Sequence, residues 1–439
     1  MRLLRMLGLW FGLAVTVGNT IGGGILRTPG SIAQLLPHET FFVGIWLIGA
    51  LYALLGANAL SELGTMLPRS GGQFLFARHA FGDYAGFVVG WMDWVSTCAS
   101  TAAIGVVLGE SVAWVIGQPA TLAPHVATAI TIVFTLLLIS GTSIGDCAQR
   151  ITSLLKAVAL MALVVACFAA RAHVAPASQP PIAPTATGFA AFLLAAQAVI
   201  YTYDGWSAPI YFSEELTNPD RDIPRSMFLG LASVAIIYIL INLAFVRAVP
   251  LTSLASSDLP AATVANVLFG ANGALLVRIV VIVSLPSAVN ACLLMASRVI
   301  FALSRDGLGI PMLTKVRATG APTTALIAGG VVAIAFVQSG TFDQIIAIAA
   351  FFFVASYTLS FMAVFLLRRR EPQARRPYRA IGHPWTTGFV LLGSLGFLVS
   401  AILSDRRNSV IALGILVLSY PVFRLMRQPL PVASANPYV

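Results

Sequence analysis

The sequence predicts an all-α integral membrane protein with twelve transmembrane helices, of which the first and the sixth are broken near their middles. Of the 439 residues, 58% are hydrophobic and only 10% are charged, and the mean hydropathy is +0.89. Soluble domains carry about 25% charged residues. The chain also divides into twelve apolar segments of about 20 residues, which is the length that a bilayer core requires of a helix.

In chain order, the predicted spans lie near 7–36, 40–67, 82–116, 125–142, 150–171, 187–216, 226–248, 273–304, 322–340, 343–367, 385–403 and 408–426. Nineteen of the 26 Lys and Arg residues fall on one side of the membrane if the N-terminus is inside. Cytoplasmic loops carry an excess of these residues. Both termini are therefore predicted to be cytoplasmic, as is the basic loop RRREPQARRPYR at 368–379.

The first span contains the stretch VGNTIGGGI at 17–25, with three consecutive glycines at 22–24. Each glycine costs roughly 1 kcal/mol relative to alanine inside a helix, so the run predicts a break. A helix that begins again after the break would present free amide groups and about half a positive charge, which suit a carboxylate. The alternative is that the glycines only permit close packing between helices.

The sixth span contains a matching interruption, YTYDGWSAP at 201–209, with an acid, a glycine and a proline at mid-membrane depth. Spans one and six are five apart, so the two breaks occupy equivalent places in two five-helix halves of opposite orientation. Such paired interruptions indicate the central site of a transporter. The carbonyl groups around Tyr201 to Asp204 would face an ammonium group, so the two breaks together suit a zwitterionic amino acid.

Lys156 is the most informative single charge in the predicted spans, since the chain has only one other lysine, Lys315. It lies six residues after Arg150, about 9 Å along a helix. A charge at that depth is functional by default, although a lysine can also extend along apolar surface to reach water. Glu62 and Asp93 lie toward span ends, where capping or loop anchoring is predicted. Asp204 is predicted to cap freed amides, with titration as the alternative.

Several functional classes are excluded or disfavoured. The sequence has no G-x-x-x-x-G-K-[ST] motif for an ATP-driven pump and no cluster of catalytic residues at one depth, so no enzyme activity is predicted. A channel would favour a polar pore lining over paired helix breaks. The four cysteines show no C-x-x-C spacing and the five histidines are scattered. We therefore predict neither a metal site nor a cofactor.

Five motifs in order along the chain resemble those of one family. They are GNTIGGGIL in the first span, SELGTMLPRSGGQFLFARHAFG at 61–82, YTYDGW with SEELTNPDRDIPRS within 201–226, SRVIFALSRDG at 297–307 and RRREPQARRPYRAIGHP at 368–384. The chain resembles the amino acid–polyamine–organocation (APC) superfamily, most closely its bacterial L-amino acid transporter-like permeases.

The resemblance implies a LeuT-type fold of five plus five inverted helices. The first repeat would be 1–171, the second 172–367, and the peripheral helices eleven and twelve with the tail 368–439. The substrate carboxylate would bind at the glycines Gly22, Gly23 and Gly24, and the amino group at carbonyls of Thr20, Tyr201, Thr202 and Asp204. Asn290 would line the site, Tyr201 would act as an aromatic gate, and Lys156 would take the place of a coupling sodium ion.

The expected function is secondary transport of neutral L-amino acids by alternating access, with exchange of one amino acid for another favoured. Proton-coupled symport, with Lys156 carrying the proton, is the alternative. Animal relatives join a glycoprotein partner through a cysteine in the external loop after helix three. The loop GQPATLAP at 117–124 has no cysteine. We therefore expect no disulfide-linked heavy subunit, and we predict a multi-pass protein of a bacterial inner membrane.

Overall fold

The computed structural model describes residues 7–140, 142–169, 188–257, 259–317, 321–339 and 342–427. The secondary-structure elements of these residues are α-helices and short 3₁₀ segments, joined by turns and loops. The α-helices are α1 Leu9–Thr20, α2 Gly24–Leu35, α3 Glu39–Met66, α4 Gln73–Phe81, α5 Asp83–Val115, α6 Ala123–Ser140, α7 Thr142–Ala169, α8 Gly188–Tyr203, α9 Pro219–Ala248, α10 Leu251–Ala255, α11 Pro260–Phe269, α12 Gly273–Ser284, α13 Pro286–Arg305, α14 Thr323–Ser339, α15 Phe342–Arg370, α16 Trp385–Ser404 and α17 Arg406–Met426.

The number of membrane spans is lower by length and composition than the twelve predicted. Within the described residues eight helices are long and apolar enough to cross a bilayer, and nine are if the bent pair α1 and α2 counts as one span. The difference lies in three short segments: α8 has 16 residues, α14 has 17, and the part of α7 that forms a described apolar helix is Ser153–Ala169. The start of the second predicted repeat, 172–187, lies outside the described residues. The count of twelve remains a prediction.

Helix α5 forms the centre of the bundle and packs against α4, α6, α13, α14 and α15. Its serines and threonines do not interrupt it, since their hydroxyls donate to carbonyls one turn earlier. Thr97 donates to Asp93 at 2.6 Å and Thr101 to Thr97 at 2.9 Å. A helix that is apolar on all sides belongs in the interior, and α5 provides a buried surface against which the broken helices lie.

The predicted break in the first span is present. Helix α1 ends at Thr20, α2 begins at Gly24, and the two are bent by 40°. The Gly22 N–H donates to the Thr20 carbonyl at 2.9 Å. The turn therefore uses one of the three glycine amides and leaves those of Gly23 and Gly24 at the start of α2.

The sixth span is also interrupted, since α8 ends at Tyr203 and a 3₁₀ segment follows at Ala208–Phe212. Gly205 lies between them with φ +105°, a conformation that favours glycine. A Cβ at this position would lie 2.8 Å from Asn19 Nδ2 and 2.9 Å from the Thr20 nitrogen. The two breaks therefore cross at Gly205, and only glycine permits that approach.

Ion pairs join the loop motifs at one end of the bundle. Arg78 bonds Asp306 at 3.1 Å, and Arg305 bonds Glu214 at 2.9 Å. The segment before α1 joins this group because the Leu7 N–H donates to the Glu215 carbonyl at 2.9 Å. We call this region the charged end, defined by Arg69, Arg78, Asp83, Glu214, Glu215, Arg298, Arg305 and Asp306.

Candidate functional site

A cavity lies between the two breaks. It is bounded by the first break, by the end of α8, and by the faces of α5, α13 and α15. The lining residues are Asn19, Thr20, Gly22, Gly23, Gly24, Thr97, Ser100, Ile104, Tyr201, Thr202, Asp204, Cys292, Met295 and Phe353. Unwound backbone within a membrane is tolerated where it lines a cavity, which is where both breaks lie.

The structure brings together seven of the eight residues that the resemblance assigned to substrate. The exception is Asn290, which is buried in α13 with 3% exposure and is not part of the cavity lining. From the same helix, Cys292 and Met295 line the cavity instead. The sequence thus selected a helix that lines the cavity, α13, but not the residues of that helix that line it.

The glycines of the first break differ in their surroundings. A Cβ on Gly22 would meet no atom within 4 Å, whereas a Cβ on Gly24 would lie 3.2 Å from the Thr202 side chain. Gly24 therefore allows α2 to pack closely on α8. The amides of Gly23 and Gly24 begin a helix, where N–H groups have no partner one turn earlier. The sequence left close helix packing and free amides as alternative explanations of the glycines. Both occur at the first break.

Tyr238 of α9 joins the two breaks, which the sequence motifs did not indicate. Its hydroxyl donates to the Thr20 carbonyl at 2.7 Å and lies 3.2 Å from the Thr202 carbonyl. The Thr20 carbonyl also accepts from Gly22, so both of its lone pairs are used. The Thr20 hydroxyl is buried and has no hydrogen-bond partner among the described atoms. Thr20 thus offers its side chain to the cavity more readily than its carbonyl.

Asn19 is a second residue that sequence reasoning missed. Its amide nitrogen lies 3.5 Å from the Gly205 carbonyl and 3.3 Å from the Met295 sulfur, and its amide oxygen accepts from Cys292 at 3.3 Å. One side chain therefore connects both breaks with α13. The available signal was its place in GNTIGGG, since a carboxamide inside an apolar span requires polar partners.

Asp204 lies at the cavity edge beside the second break. Its carboxylate accepts from the Tyr357 hydroxyl of α15 at 2.6 Å, a partner that the sequence did not indicate. The capping of freed amides by Asp204 remains a prediction. Tyr357 also lies 3.3 Å from the Ser207 hydroxyl and stacks on Trp206 at 5.0 Å between ring centroids. The second break is therefore fixed to α15 by hydrogen bonding and by aromatic packing.

Lys156 is buried, with 2% exposure, and does not extend toward water. Its ammonium donates to the Gly18 carbonyl at 3.0 Å and to the Ile21 carbonyl at 2.5 Å. These groups lie at the end of α1, where the helix dipole favours a cation. One turn earlier, the Ser153 hydroxyl donates to the Ala14 carbonyl at 3.1 Å. Helix α7 is thus bonded to the first break on the side away from the cavity.

The remaining acids divide into surface, loop and interior roles. Glu62 is 1% exposed and binds Arg368 at 2.6 Å and Arg376 at 3.2 Å, so its predicted role in anchoring a loop is confirmed. Glu110 pairs with Arg27 at 2.9 Å and is partly exposed. For Asp93 the expectation of a position near a span end is wrong. It lies ten residues after the start of α5 with 0% exposure, because α5 enters the buried core already at Gly86 and Phe87.

Comparison with known proteins indicates the same family as the sequence motifs. The family model described as amino acid permease matches residues 7–419. A serine/threonine exchanger of Bacillus subtilis is 26% identical over 433 residues, covering 97% of this chain and 98% of the relative. The mouse b(0,+)-type amino acid transporter 1 is 28% identical over 432 residues, covering 96% and 87%. The mouse Asc-type amino acid transporter 1 is 25% identical, covering 86% and 73%. The chain belongs to the amino acid permease family of the APC superfamily.

Proposed function

We propose that this chain is a secondary transporter that exchanges neutral L-amino acids by alternating access. The observation that carries the proposal is the single cavity lined by Thr20, Gly22 to Gly24, Tyr201, Thr202 and Asp204. Residues at a helix N-terminus and residues with carbonyl and carboxylate oxygens both line this cavity. That pairing matches the two charges that every zwitterionic amino acid carries.

In the proposed complex, the substrate carboxylate accepts from the amides of Gly23 and Gly24. The ammonium group faces the oxygens of the second break, at Tyr201 to Asp204, and the free hydroxyl of Thr20. Tyr201 covers the substrate as an aromatic gate. The side chain of the substrate then points toward Ser100 and Thr97 of α5, which also line the cavity and favour a small neutral group.

Lys156 acts in this scheme as a fixed cation that holds α7 to the end of α1. Its two carbonyl partners are both in the first break, so movement of that break changes the environment of the lysine. A permanent charge at this point needs no ion or proton to travel with the substrate. This favours exchange, and the similarity to a protein named as a serine/threonine exchanger gives it further support.

The proposed topology is twelve spans arranged as two inverted repeats, 1–171 and 172–367, followed by a peripheral segment, 368–439. Both termini and the charged end lie in the cytoplasm of a bacterium, with the chain in the inner membrane. The Bacillus subtilis relative, which the chain covers almost completely, supports that location. No disulfide-linked subunit is required by this scheme.

Proton-coupled symport is the second candidate, and a specific observation favours it. The hydrogen-bond partners of Lys156 within the described residues are neutral carbonyls, so loss of its proton would leave no buried anion without a counter-ion. A lysine in such surroundings can exchange a proton more readily than one paired with a carboxylate. The two candidates differ in whether substrate can accumulate without an internal amino acid.

Uptake by proteoliposomes separates the candidates. Vesicles would be loaded with one unlabelled amino acid, or left empty, and labelled L-amino acids would be tested in a panel with and without a pH step. Exchange predicts uptake that depends on internal amino acid, with no accumulation in empty vesicles when the pH step is applied. Robust accumulation in empty vesicles driven by the pH step would contradict exchange and support symport. Absence of uptake under every condition would contradict transport of the amino acids tested.

A further inference from the structure

Asp93 is a buried acid that the proposed transport cycle does not yet use. It has 0% exposure and accepts a hydrogen bond on Oδ2 from the Tyr211 hydroxyl at 2.7 Å. Its other oxygen, Oδ1, has no hydrogen-bond partner among the described atoms. A carboxylate normally accepts several bonds when it is buried, so this site is poorly equipped for an ionised acid.

The charged groups near Asp93 do not neutralise it. On α4 Arg78 is bonded to Asp83 and Asp306, and on α13 Arg298 is bonded to Glu215. The acid that interacts electrostatically with Asp93 is Asp204, which has the same sign. The other titratable or charged groups on the elements packed against α5 are His79, His125, Arg278, Cys292, Arg305, Tyr357, Arg368, Arg369, Arg370, Arg406, Arg407, Tyr420 and Arg424, with Asp343 at the start of α15.

The position of Asp93 connects it to the second break. Tyr211 belongs to the 3₁₀ segment Ala208–Phe212 that follows the break, between the cavity residue Asp204 and the ion-paired Glu214. Asp93 belongs to α5, the central helix. The hydrogen bond between Tyr211 and Asp93 therefore fixes the continuation of the broken helix against the centre of the bundle.

The surroundings of Tyr211 are built around this contact. Gln73 of α4 donates to the Tyr211 oxygen at 3.3 Å, and Ser360 of α15 donates to the Gln73 oxygen at 3.0 Å. Gly72, with φ +73°, lies so close that a Cβ there would overlap the Tyr211 ring at 2.2 Å. Helix α4, which is itself bonded to α15, and the turn at Gly72 thus hold the Tyr211 hydroxyl that donates to Asp93.

We propose that Asp93 is a proton-binding site which controls opening of the cavity toward the charged end. Burying an isolated carboxylate costs far more than burying a neutral acid, so the proton stabilises the closed arrangement in which Tyr211 packs on α5. Loss of the proton leaves an anion near Asp204. That anion favours a conformation in which the 3₁₀ segment moves away and water reaches Asp93.

The sign of the pH effect follows from this linkage. The closed arrangement binds the proton more tightly than the open one, so it is most favoured at low pH. Raising the pH removes the proton and favours opening. The consequence for transport rests on the proposed function, whereas the presence of the proton at Asp93 does not.

Infrared difference spectroscopy tests the proton directly on the purified protein without substrate. A pH step upward should remove absorption in the carbonyl stretching region of protonated carboxylic acids. Asp93→Asn should lack that change, while Asp83→Asn, which alters an acid at the start of the same helix, should retain it. An identical band in wild type and Asp93→Asn, or its loss only in Asp204→Asn, would overturn the proposal.

Exchange measured over a pH series tests whether the proton on Asp93 controls transport. Wild-type exchange should rise with pH, by up to about tenfold per unit where a single group titrates, and Asp93→Asn should be slow and insensitive to pH. If Asp93→Asn does not fold, Tyr211→Phe keeps the acid but removes its donor, and the midpoint should move to higher pH. A wild-type pH profile in either variant would contradict the proposal. If wild type exchanges no amino acid, the proposed function fails while the infrared result still decides the role of Asp93.

Discussion

The two breaks at the membrane centre and the charged end satisfy their polar groups in different ways. At the breaks, Lys156 binds backbone carbonyls, Asp204 accepts from a tyrosine, and Tyr238 bridges two carbonyls. At the charged end, arginines pair with carboxylates, as Arg78 does with Asp306. Amides and hydroxyls can exchange partners with a substrate at small cost, whereas separating a buried ion pair is costly. We therefore expect the breaks to govern substrate binding and the ion pairs to govern which conformations are stable.

The largest effect on transport is expected at Gly24. A valine there would push against Thr202, whose side chain lies 3.2 Å from the position of a Cβ, and would move the amides of α2 away from α8. Gly24→Val should abolish transport and substrate binding while the protein remains folded, as measured by uptake and thermal unfolding. Gly44→Ala, on α3 and outside the cavity lining, is the control, because its new methyl meets no atom within 4 Å. Wild-type affinity in Gly24→Val would contradict the account.

The next largest effect is expected at Tyr201, which lines the cavity. Tyr201→Ala should reduce transport strongly, because an aromatic gate covers the substrate and excludes water. Tyr201→Phe keeps the ring and should be mild. The initial uptake rates of the two variants show whether the ring or the hydroxyl of Tyr201 is needed. If both variants lose the same fraction of the wild-type rate, the hydroxyl is the essential group and Tyr201 is not an aromatic gate.

Lys156→Ala should slow transport while partly preserving substrate binding. The lysine bonds Gly18 and Ile21, outside the cavity, so its loss loosens the first break without removing a substrate contact. Equilibrium binding and exchange rate, measured on the same preparation, separate these effects. Lys315→Ala, in the loop before α14, is the control and should match wild type. Complete loss of binding in Lys156→Ala, with the protein still folded, would place the lysine in the substrate site.

The smallest effect on substrate affinity is expected from Glu62→Gln, although its effect on stability should be large. Glu62 is buried and holds both Arg368 and Arg376, and removing one partner of a buried pair costs about 3 kcal/mol or more. The midpoint temperature of thermal unfolding should fall, while the substrate affinity of the folded protein stays unchanged. Arg375→Gln breaks an exposed pair with Asp220 and should cost less than about 1 kcal/mol. A changed affinity in Glu62→Gln would show that a buried ion pair outside the cavity also governs substrate binding.

Much of the fold was predictable because its strongest signals are local. Runs of apolar residues mark the long helices, and glycines inside an apolar span mark a break, as at Gly22 to Gly24 and Gly205. The depth of Lys156 was likewise available from its distance along α7. These predictions depend on hydropathy and helix geometry, which operate within a single segment.

The partners across helices were not predictable in the same way. Asn19, Tyr238 and Tyr357 are single polar residues in apolar helices, and their bonds depend on how α1, α9 and α15 rotate and approach one another. Asn290 shows the converse. Its place in α13 was identified, but the rotation of the helix presents Cys292 and Met295 to the cavity. Asp93 was misplaced because α5 enters the buried core within one turn of its start, at Gly86, so a residue near a helix end can still be buried.

The most direct test of the central claim is an experimental structure of the protein with a transported amino acid bound. The account predicts that the carboxylate accepts from the amides of Gly23 and Gly24, that the ammonium group lies against the oxygens of Tyr201 to Asp204, and that the Tyr201 ring covers the substrate. An amino acid bound outside the cavity between the two breaks, or bound there with its ammonium group toward the glycines, would contradict it.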